Sequence, residues 1–140
     1  MNYKYYKAQA VRDLTEYKYL KNSVTVLPKQ IRLLKKIDSE QKSGTYAAEN
    51  SVSYESRIAQ LTKILNTNRT KLRCMEYALS ILPQKDRDNL NSFYINRYRN
   101  SVRDLARKEY TDRSTLYRRA QRSVDKYVFA YFGILPPPKY

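Results

Sequence analysis

The sequence predicts an all-α protein, with N-terminal helical segments that include one long heptad-patterned helix, followed by a C-terminal domain of three shorter helices. Two observations predict this class. Apolar residues recur at spacings of three and four over most of the chain, as they do on one face of a helix. The pairs Leu27-Pro28 and Leu82-Pro83 each mark the end of one helix and the start of another, because the residue before a proline resists the helical conformation and proline suits a first turn.

Three regions follow from this pattern. Residues 1–82 are predicted to form an N-terminal helical and dimerisation region, with a flexible loop at about 39–53, where the sequence SEQKSGTYAAENSVS is polar and small. Residues 83–132 are predicted to form the three-helix domain. The tail at 133–140, GILPPPKY, favours either an extended polyproline ligand or a disordered end.

Two amphipathic helices with lysine-rich outer faces are predicted on either side of Pro28. The apolar positions of the first helix are Tyr6, Ala10, Leu14, Tyr17, Leu20 and Val24. Those of the second helix are Leu27, Ile31, Leu34 and Ile37, with Gln41 continuing the same face.

The segment from Val52 to Leu82 has the most regular pattern in the chain. Its stripe alternates in steps of three and four, and we assign it to oligomerisation: Ile58, Leu61, Leu65, Asn68, Leu72, Met75 and Leu79, with Leu82 at its end. Asn68 lies on the stripe, where a buried asparagine can fix register and strand number. The stripe predicts either a dimerising coiled coil or packing on the first two helices of the same chain, with Asn68 beside water or a polar partner.

The three helices after Leu82 have the pattern of a helix-turn-helix domain. Ser101 and Asp104 have the spacing of a capping box at the start of a very short helix. After a break at Tyr110-Thr111, Asp112 is a good N-cap for the last helix, TDRSTLYRRAQRSVDKY. A narrow apolar stripe leaves five basic side chains of that helix outside the core, so it is either a recognition helix that lies in a major groove or a helix whose cationic face is solvated.

The charge of the chain favours a polyanionic partner. The formal net charge is +15, from 28 Lys and Arg against 13 Asp and Glu, in a chain that is 41% hydrophobic. A field of this size favours nucleic acid first, then an anionic membrane or an acidic protein. Arginine outnumbers lysine after Leu82, and its planar group suits phosphates and guanine edges.

Several classes of function are excluded by what the sequence lacks. There is no histidine, and there are only two glycines and one cysteine, Cys74. These counts argue against histidine-based catalysis, Gly-rich nucleotide loops and thiolate metal clusters. We therefore expect no enzyme activity, no cofactor and no metal site. The sequence has no long apolar run, and its first residues are polar. We therefore expect a cytoplasmic protein without a membrane partner.

The C-terminal motifs resemble region 4 of sigma-70-type factors. The stretches LPQKDRDNLNSFYI and SVRDLARKEYTDRSTLYRRAQRSVDKY are similar to its opening helix, its E-I-A helix and its S-x-S-T recognition helix. Leu82-Pro83 match the opening, Leu105-Ala106 match I-A, and Ser114-Thr115 match the start of the recognition helix. Tyr110 or its neighbours stand where that family has a small residue, and Asp112 replaces the common serine cap.

The chain is more narrowly similar to the phage and prophage late-gene regulators of the RinA and ArpU type. RSTLYRR and FAYFG stand where those short, basic proteins have S-x-S-T-x-Y-R and a closing Y-G. The resemblance covers about 55 residues well. The order and spacing of the motifs, more than any single motif, support it. It implies a transcription regulator that binds double-stranded DNA, with host RNA polymerase as a further partner.

These observations together predict a sequence-specific DNA-binding transcription regulator that acts as a homodimer. The predicted base contacts come from the exposed start of the last helix: Arg113, Ser114, Thr115, Tyr117 and Arg118. Arg119 and Arg122, further along that helix, are predicted to contact phosphates or bases. Arg103 and Arg107, on the preceding helix, are predicted to anchor the DNA backbone.

Three alternatives remain open. One is a DNA-packaging subunit of the small terminase type, which would assemble into a ring. Another is a phage protein that inhibits a host protein by binding it through its basic helical surface. The third is single-strand binding by the N-terminal sequence NYKYYK, in which tyrosines on which bases can stack alternate with lysines.

Overall fold

The computed structural model describes residues 2–41, 47–97 and 102–138, and all regular structure within these ranges is helical. The predicted all-α class is therefore confirmed. Within the described ranges there are six α-helices, one of them continued by a π-helical segment. They are α1 (Tyr3–Thr15), α2 (Tyr17–Gln41), α3 (Ala47–Ser80), α4 (Gln84–Leu90) with the π-helical segment Asn91–Ile95, α5 (Val102–Lys108) and α6 (Arg113–Phe132).

The two Leu-Pro pairs have different outcomes. Pro83 lies between α3 and α4, as predicted. Pro28 lies inside α2, so the prediction that it separates two helices is wrong; the break comes at Glu16, between α1 and α2. A proline in a helix removes one hydrogen bond and crowds the preceding turn, but the apolar stripe continues through Pro28 to the buried Ile31. Burial of that continuous face outweighs the local cost of the proline.

The connection predicted at about 39–53 is helical at both ends. Helix α2 continues to Gln41, and α3 begins at Ala47. The central part, residues 42–46, lies outside the described residues. Ser101, predicted to cap the short helix, also lies outside them.

The chain forms two compact units, Met1–Lys18 with Cys74–Tyr140, and Tyr19–Arg73. The functional regions predicted from the sequence divide at Leu82, whereas these units divide within α2 and α3. Helix α1 consequently belongs to the same unit as α4, α5 and α6, although it is separated from them by most of the N-terminal region. Nothing local in the sequence of α1 signals this association.

The first unit is built around α6. Helix α1 packs on α6 and on the π-helical segment, while α4 and α5 each pack on α6. The most deeply buried apolar side chains of this core are Ala10, Leu14, Met75, Leu90, Ala120, Val124, Tyr127 and Val128. Burial of a large apolar side chain contributes about 1.5–3 kcal/mol, so this core fixes the orientation of α6.

The second unit contains most of the heptad stripe. In it, Leu65 is buried, and Ile58, Leu61, Asn68 and Leu72 are partly buried. The side-chain amide of Asn68 donates a hydrogen bond to Ser23 Oγ of α2, at 3.0 Å. Asn68 thus has a polar partner in its own chain, one of the two arrangements that the stripe predicts. The stripe continues into the first unit, where Met75 is buried and Leu79 is partly buried.

Candidate nucleic-acid interface

A four-residue turn joins the short helix α5 to α6. Helix α5 ends at Lys108 and α6 begins at Arg113. The turn is closed by hydrogen bonds from the Thr111 N–H to the Ala106 carbonyl, at 3.1 Å, and from the Tyr110 N–H to the Arg107 carbonyl, at 3.4 Å. This pair of bonds is the Schellman pattern, which usually has a glycine at the position of Tyr110. Tyr110 has a φ of 52° and therefore adopts the left-handed conformation.

Asp112 caps the start of α6, as predicted. Its Oδ1 accepts hydrogen bonds from the Thr115 N–H, at 2.7 Å, and from Ser114 Oγ, at 3.0 Å. The hydrogen bonds with Thr115 and Ser114 lower the pKa of Asp112. The residue is therefore ionised at neutral pH and holds a negative charge at the helix N-terminus, where the helix dipole favours it.

Helix α6 has one buried face and one exposed face. Its buried side chains are Leu116, Ala120, Ser123, Val124, Tyr127 and Val128. At 100° per residue, Ser114, Arg118, Gln121 and Asp125 fall on the opposite side, within about 60° of one another. Ser114, Arg118 and Gln121 are exposed, so the structure leaves the first turns of α6 accessible over a polar surface.

The predicted DNA-binding residues fall into three groups. Four of them line one shallow groove beside α6: Thr115, Tyr117, Arg118 and Arg122. Another four are exposed but do not line this groove: Arg103 and Arg107 on α5, and Arg113 and Ser114 at the start of α6. The ninth, Arg119, is partly buried and has an acidic partner.

That partner is Glu109 in the turn. Arg119 Nη1 lies 3.1 Å from Glu109 Oε2, and both side chains are partly accessible, at 34% and 46%. Accessible pairs of this kind contribute about 0–1 kcal/mol. The charge of Arg119 is thus shared with Glu109, and the pair links the turn to the second turn of α6.

Helix α1 adds Lys7 to the groove, which sequence reasoning missed. Lys7 Nζ lies 3.2 Å from Asp125 Oδ1, and the Tyr3 hydroxyl also donates to this oxygen. Burial and the hydrogen bond to Asp125 raise the pKa of Tyr3. Lys7 offsets the charge of Asp125, which also lines the groove. The partners are more than 100 residues apart, so no local pattern could have indicated this contact.

A buried polar cluster connects α6 to α4. Asp86 is only 6% exposed, and it accepts hydrogen bonds from Ser123 Oγ and Lys126 Nζ, both at 2.9 Å. The side-chain amide of Asn89 donates to the same Ser123 hydroxyl, at 3.1 Å. Satisfied polar networks of this kind define a unique packing arrangement. The cluster therefore fixes the rotation of α6, and with it the face that α6 exposes.

The π-helical segment brings an aromatic side chain against α6. It is closed by a bond from the Asn96 N–H to the Asn91 carbonyl, at 2.7 Å. The ring of Phe93 packs edge-on against Tyr117, with 5.6 Å between centroids. This contact supports Tyr117, which remains half exposed.

The described helices are all too short or too polar to cross a membrane. Comparisons with protein-family models, with curated proteins and with solved structures found no match to the chain.

Proposed function

We propose that this protein is a sequence-specific regulator of transcription that binds double-stranded DNA, of the phage or prophage kind that its motifs resemble. In this proposal α5 and α6 form a helix-turn-helix, and α6 is the recognition helix. The supporting observation is the exposed start of α6: Arg118, Tyr117 and Ser114 are accessible while the opposite face of the same turns is buried.

The dimensions of α6 suit a major groove. Its 20 residues extend over about 30 Å, and a helix with side chains is about 10–12 Å across, close to the groove width of about 12 Å. Arg113 and Arg118 are the candidates for guanine edges, which accept two hydrogen bonds from a guanidinium group. Ser114 and Thr115 can bond to bases or phosphates, although both also take part in the cap formed by Asp112.

Cations beside α6 supply the contacts that do not depend on sequence. Arg103 and Arg107 are exposed on α5, which lies before the recognition helix as a backbone-contacting helix does. Arg122 and Lys7 line the groove beside α6. Each phosphate that such a side chain neutralises releases counterions, so the affinity should fall steeply with rising salt.

The active form in this proposal is a homodimer. Two copies of α6 would read two half-sites about one helical turn apart, and the operator would be two-fold symmetric. Mass measurement in solution separates this dimer from the large ring of a packaging subunit, and a dimer mass together with a palindromic site would support the proposal.

Selection from a random duplex library, followed by salt titration on the selected site, tests the proposed function. We expect an enriched two-fold symmetric motif that is bound much more tightly than random duplexes at the same salt concentration. Binding without enrichment, which collapses on all duplexes alike as salt rises, would contradict sequence-specific regulation and leave only a generic attraction to polyanions.

A second candidate function is inhibition of a host protein by direct binding. The observation that favours it is an exposed apolar patch in the first unit, formed by Ile81, Phe129 and Leu135, each more than half exposed. Patches of this kind often mark protein-binding surfaces. A pull-down from host lysate treated with nuclease distinguishes the candidates, because DNA-bridged partners are lost and a direct protein partner is retained.

A further inference from the structure

Tyr110 combines an unfavourable backbone conformation with an almost fully exposed side chain. Its φ is 52°, and it is the one non-glycine residue with a positive φ among residues 2–41, 47–97 and 102–138. Its side chain is 97% exposed, more than that of any other large apolar residue in those ranges. The left-handed conformation is costly for a residue with a Cβ and favours glycine.

The fold makes no use of the Tyr110 side chain. The turn is closed by backbone hydrogen bonds of Tyr110 and Thr111, which a glycine at position 110 would also form. The ring gains almost no burial that could offset the strained backbone. Residues kept in sparsely populated conformations concentrate at functional sites, so a role outside the fold accounts for tyrosine at this position.

The surroundings of Tyr110 indicate what the side chain meets. Arg107, Lys108 and Arg113 are exposed within three residues of it on either side. The nearest acidic side chains are both engaged: Glu109 pairs with Arg119, and Asp112 caps α6. Three residues span at most about 11 Å of chain, so the backbone of Tyr110 lies close to the start of α6, in a cationic environment that attracts phosphate.

We propose that Tyr110 is a DNA-contacting residue, whose hydroxyl donates a hydrogen bond to a backbone phosphate beside the groove that α6 enters. Tyrosine hydroxyls are among the common donors to DNA phosphates. The inference rests on the proposed function and adds to it a neutral contact in the turn. Such a contact raises affinity on every sequence and, unlike an arginine contact, leaves the salt dependence unchanged.

The test compares the parent protein with Tyr110→Phe and Tyr110→Gly, on the selected site and on a random duplex, over a range of salt concentrations. We expect Tyr110→Phe to weaken binding about three- to tenfold on both duplexes, as for a lost hydrogen bond. The slope of log affinity against log salt should not change. Tyr110→Gly should weaken binding at least as much while it raises the Tm, because the strain is relieved.

Two control variants make the result specific. Tyr19→Phe removes the hydroxyl of another strongly exposed tyrosine, on α2, and should leave affinity unchanged. Arg107→Ala should reduce the salt slope by about one phosphate contact. If the parent binds DNA and both Tyr110→Phe and Tyr110→Gly bind it with the same affinity, the role of Tyr110 is overturned. The proposed function is then left intact. A parent that binds neither duplex would overturn both.

Discussion

The Ser123 hydroxyl on α6 lies 2.9 Å from Asp86 Oδ1 on α4, and both side chains are buried. The same hydroxyl accepts a hydrogen bond from Asn89, so a single oxygen joins the two helices. A rotation of α6 about its axis would break this contact and leave Asp86 Oδ1 buried without its donor. The face that α6 exposes is therefore determined by a buried polar contact as well as by apolar packing.

Removal of this hydroxyl should destabilise the protein. We expect Ser123→Ala to reduce the free energy of unfolding by about 1–3 kcal/mol, because the buried Asp86 Oδ1 and the partly buried Asn89 amide lose their partner. Urea unfolding followed by circular dichroism measures the change. Ser56→Ala, at an exposed position on α3, is the matched control and should change stability little. Equal stability of both variants would show that Asp86 does not depend on Ser123.

The burial of Tyr3 and its contact with Asp125 should make stability sensitive to alkaline pH. The pKa of Tyr3 is raised from its ordinary value of 10.0 in the folded protein, so the neutral phenol is favoured by folding. The stabilisation is fully present below pH 10 and is lost as the pH rises through the folded pKa. The slope of unfolding free energy against pH above 10 should be shallower in Tyr3→Phe, by up to about 1.4 kcal/mol per pH unit.

Measurement of stability at several pH values between neutral and strongly alkaline, for the parent and for Tyr3→Phe, checks this expectation. Tyr5→Phe is the control, since Tyr5 is exposed on the same helix. Parallel curves for the parent and Tyr3→Phe would show that folding does not favour the neutral phenol of Tyr3.

Local signals in the sequence predict the C-terminal elements well. The cap at Asp112 and the break at Leu82-Pro83 depend on neighbouring residues and on the backbone preferences of those residues, so both are confirmed. The buried positions of α6, including Leu116 and Val124, follow from helical periodicity for the same reason.

Contacts between distant segments could not be predicted in this way. Lys7 reaches the α6 groove because α1 packs on α6, and the sequence of α1 carries only its own amphipathic pattern. The continuation of α2 through Pro28 also depends on burial, which outweighs a local preference. The heptad stripe fits packing within or between chains equally well, because both arrangements bury the same face. The bond from Asn68 to Ser23 identifies a partner within the chain for one position of the stripe.

Pro28 should be a site at which stability can be gained. Since α2 runs from Tyr17 to Gln41 through this residue, Pro28→Ala restores a helical hydrogen-bond donor and relieves crowding of the preceding turn. Proline is about 3 kcal/mol less favourable than alanine inside a helix, and the greater freedom of the unfolded chain offsets part of this. We expect a net gain of about 1–2 kcal/mol in the free energy of unfolding by urea.

A proline in the tail provides the control for this substitution. Pro136→Ala changes a residue after the end of α6. Its helix content and its stability should equal those of the parent. A loss of stability in Pro28→Ala, with Pro136→Ala unchanged, would mean that α2 is interrupted at Pro28 and that the proline begins a separate helix.

Arg118 should distinguish a selected site from random DNA. It is exposed on α6 opposite the buried face, and its Nε lies 3.4 Å from the Ser114 carbonyl, so its side chain follows the helix surface. If Arg118 reads a guanine, Arg118→Ala should cost about 1–3 kcal/mol on the selected site and much less on a random duplex. Arg69→Ala, at an exposed position on α3, should leave the discrimination between the two duplexes unchanged. Equal losses on both duplexes for Arg118→Ala, with a reduced salt slope, would show that Arg118 contacts only phosphate.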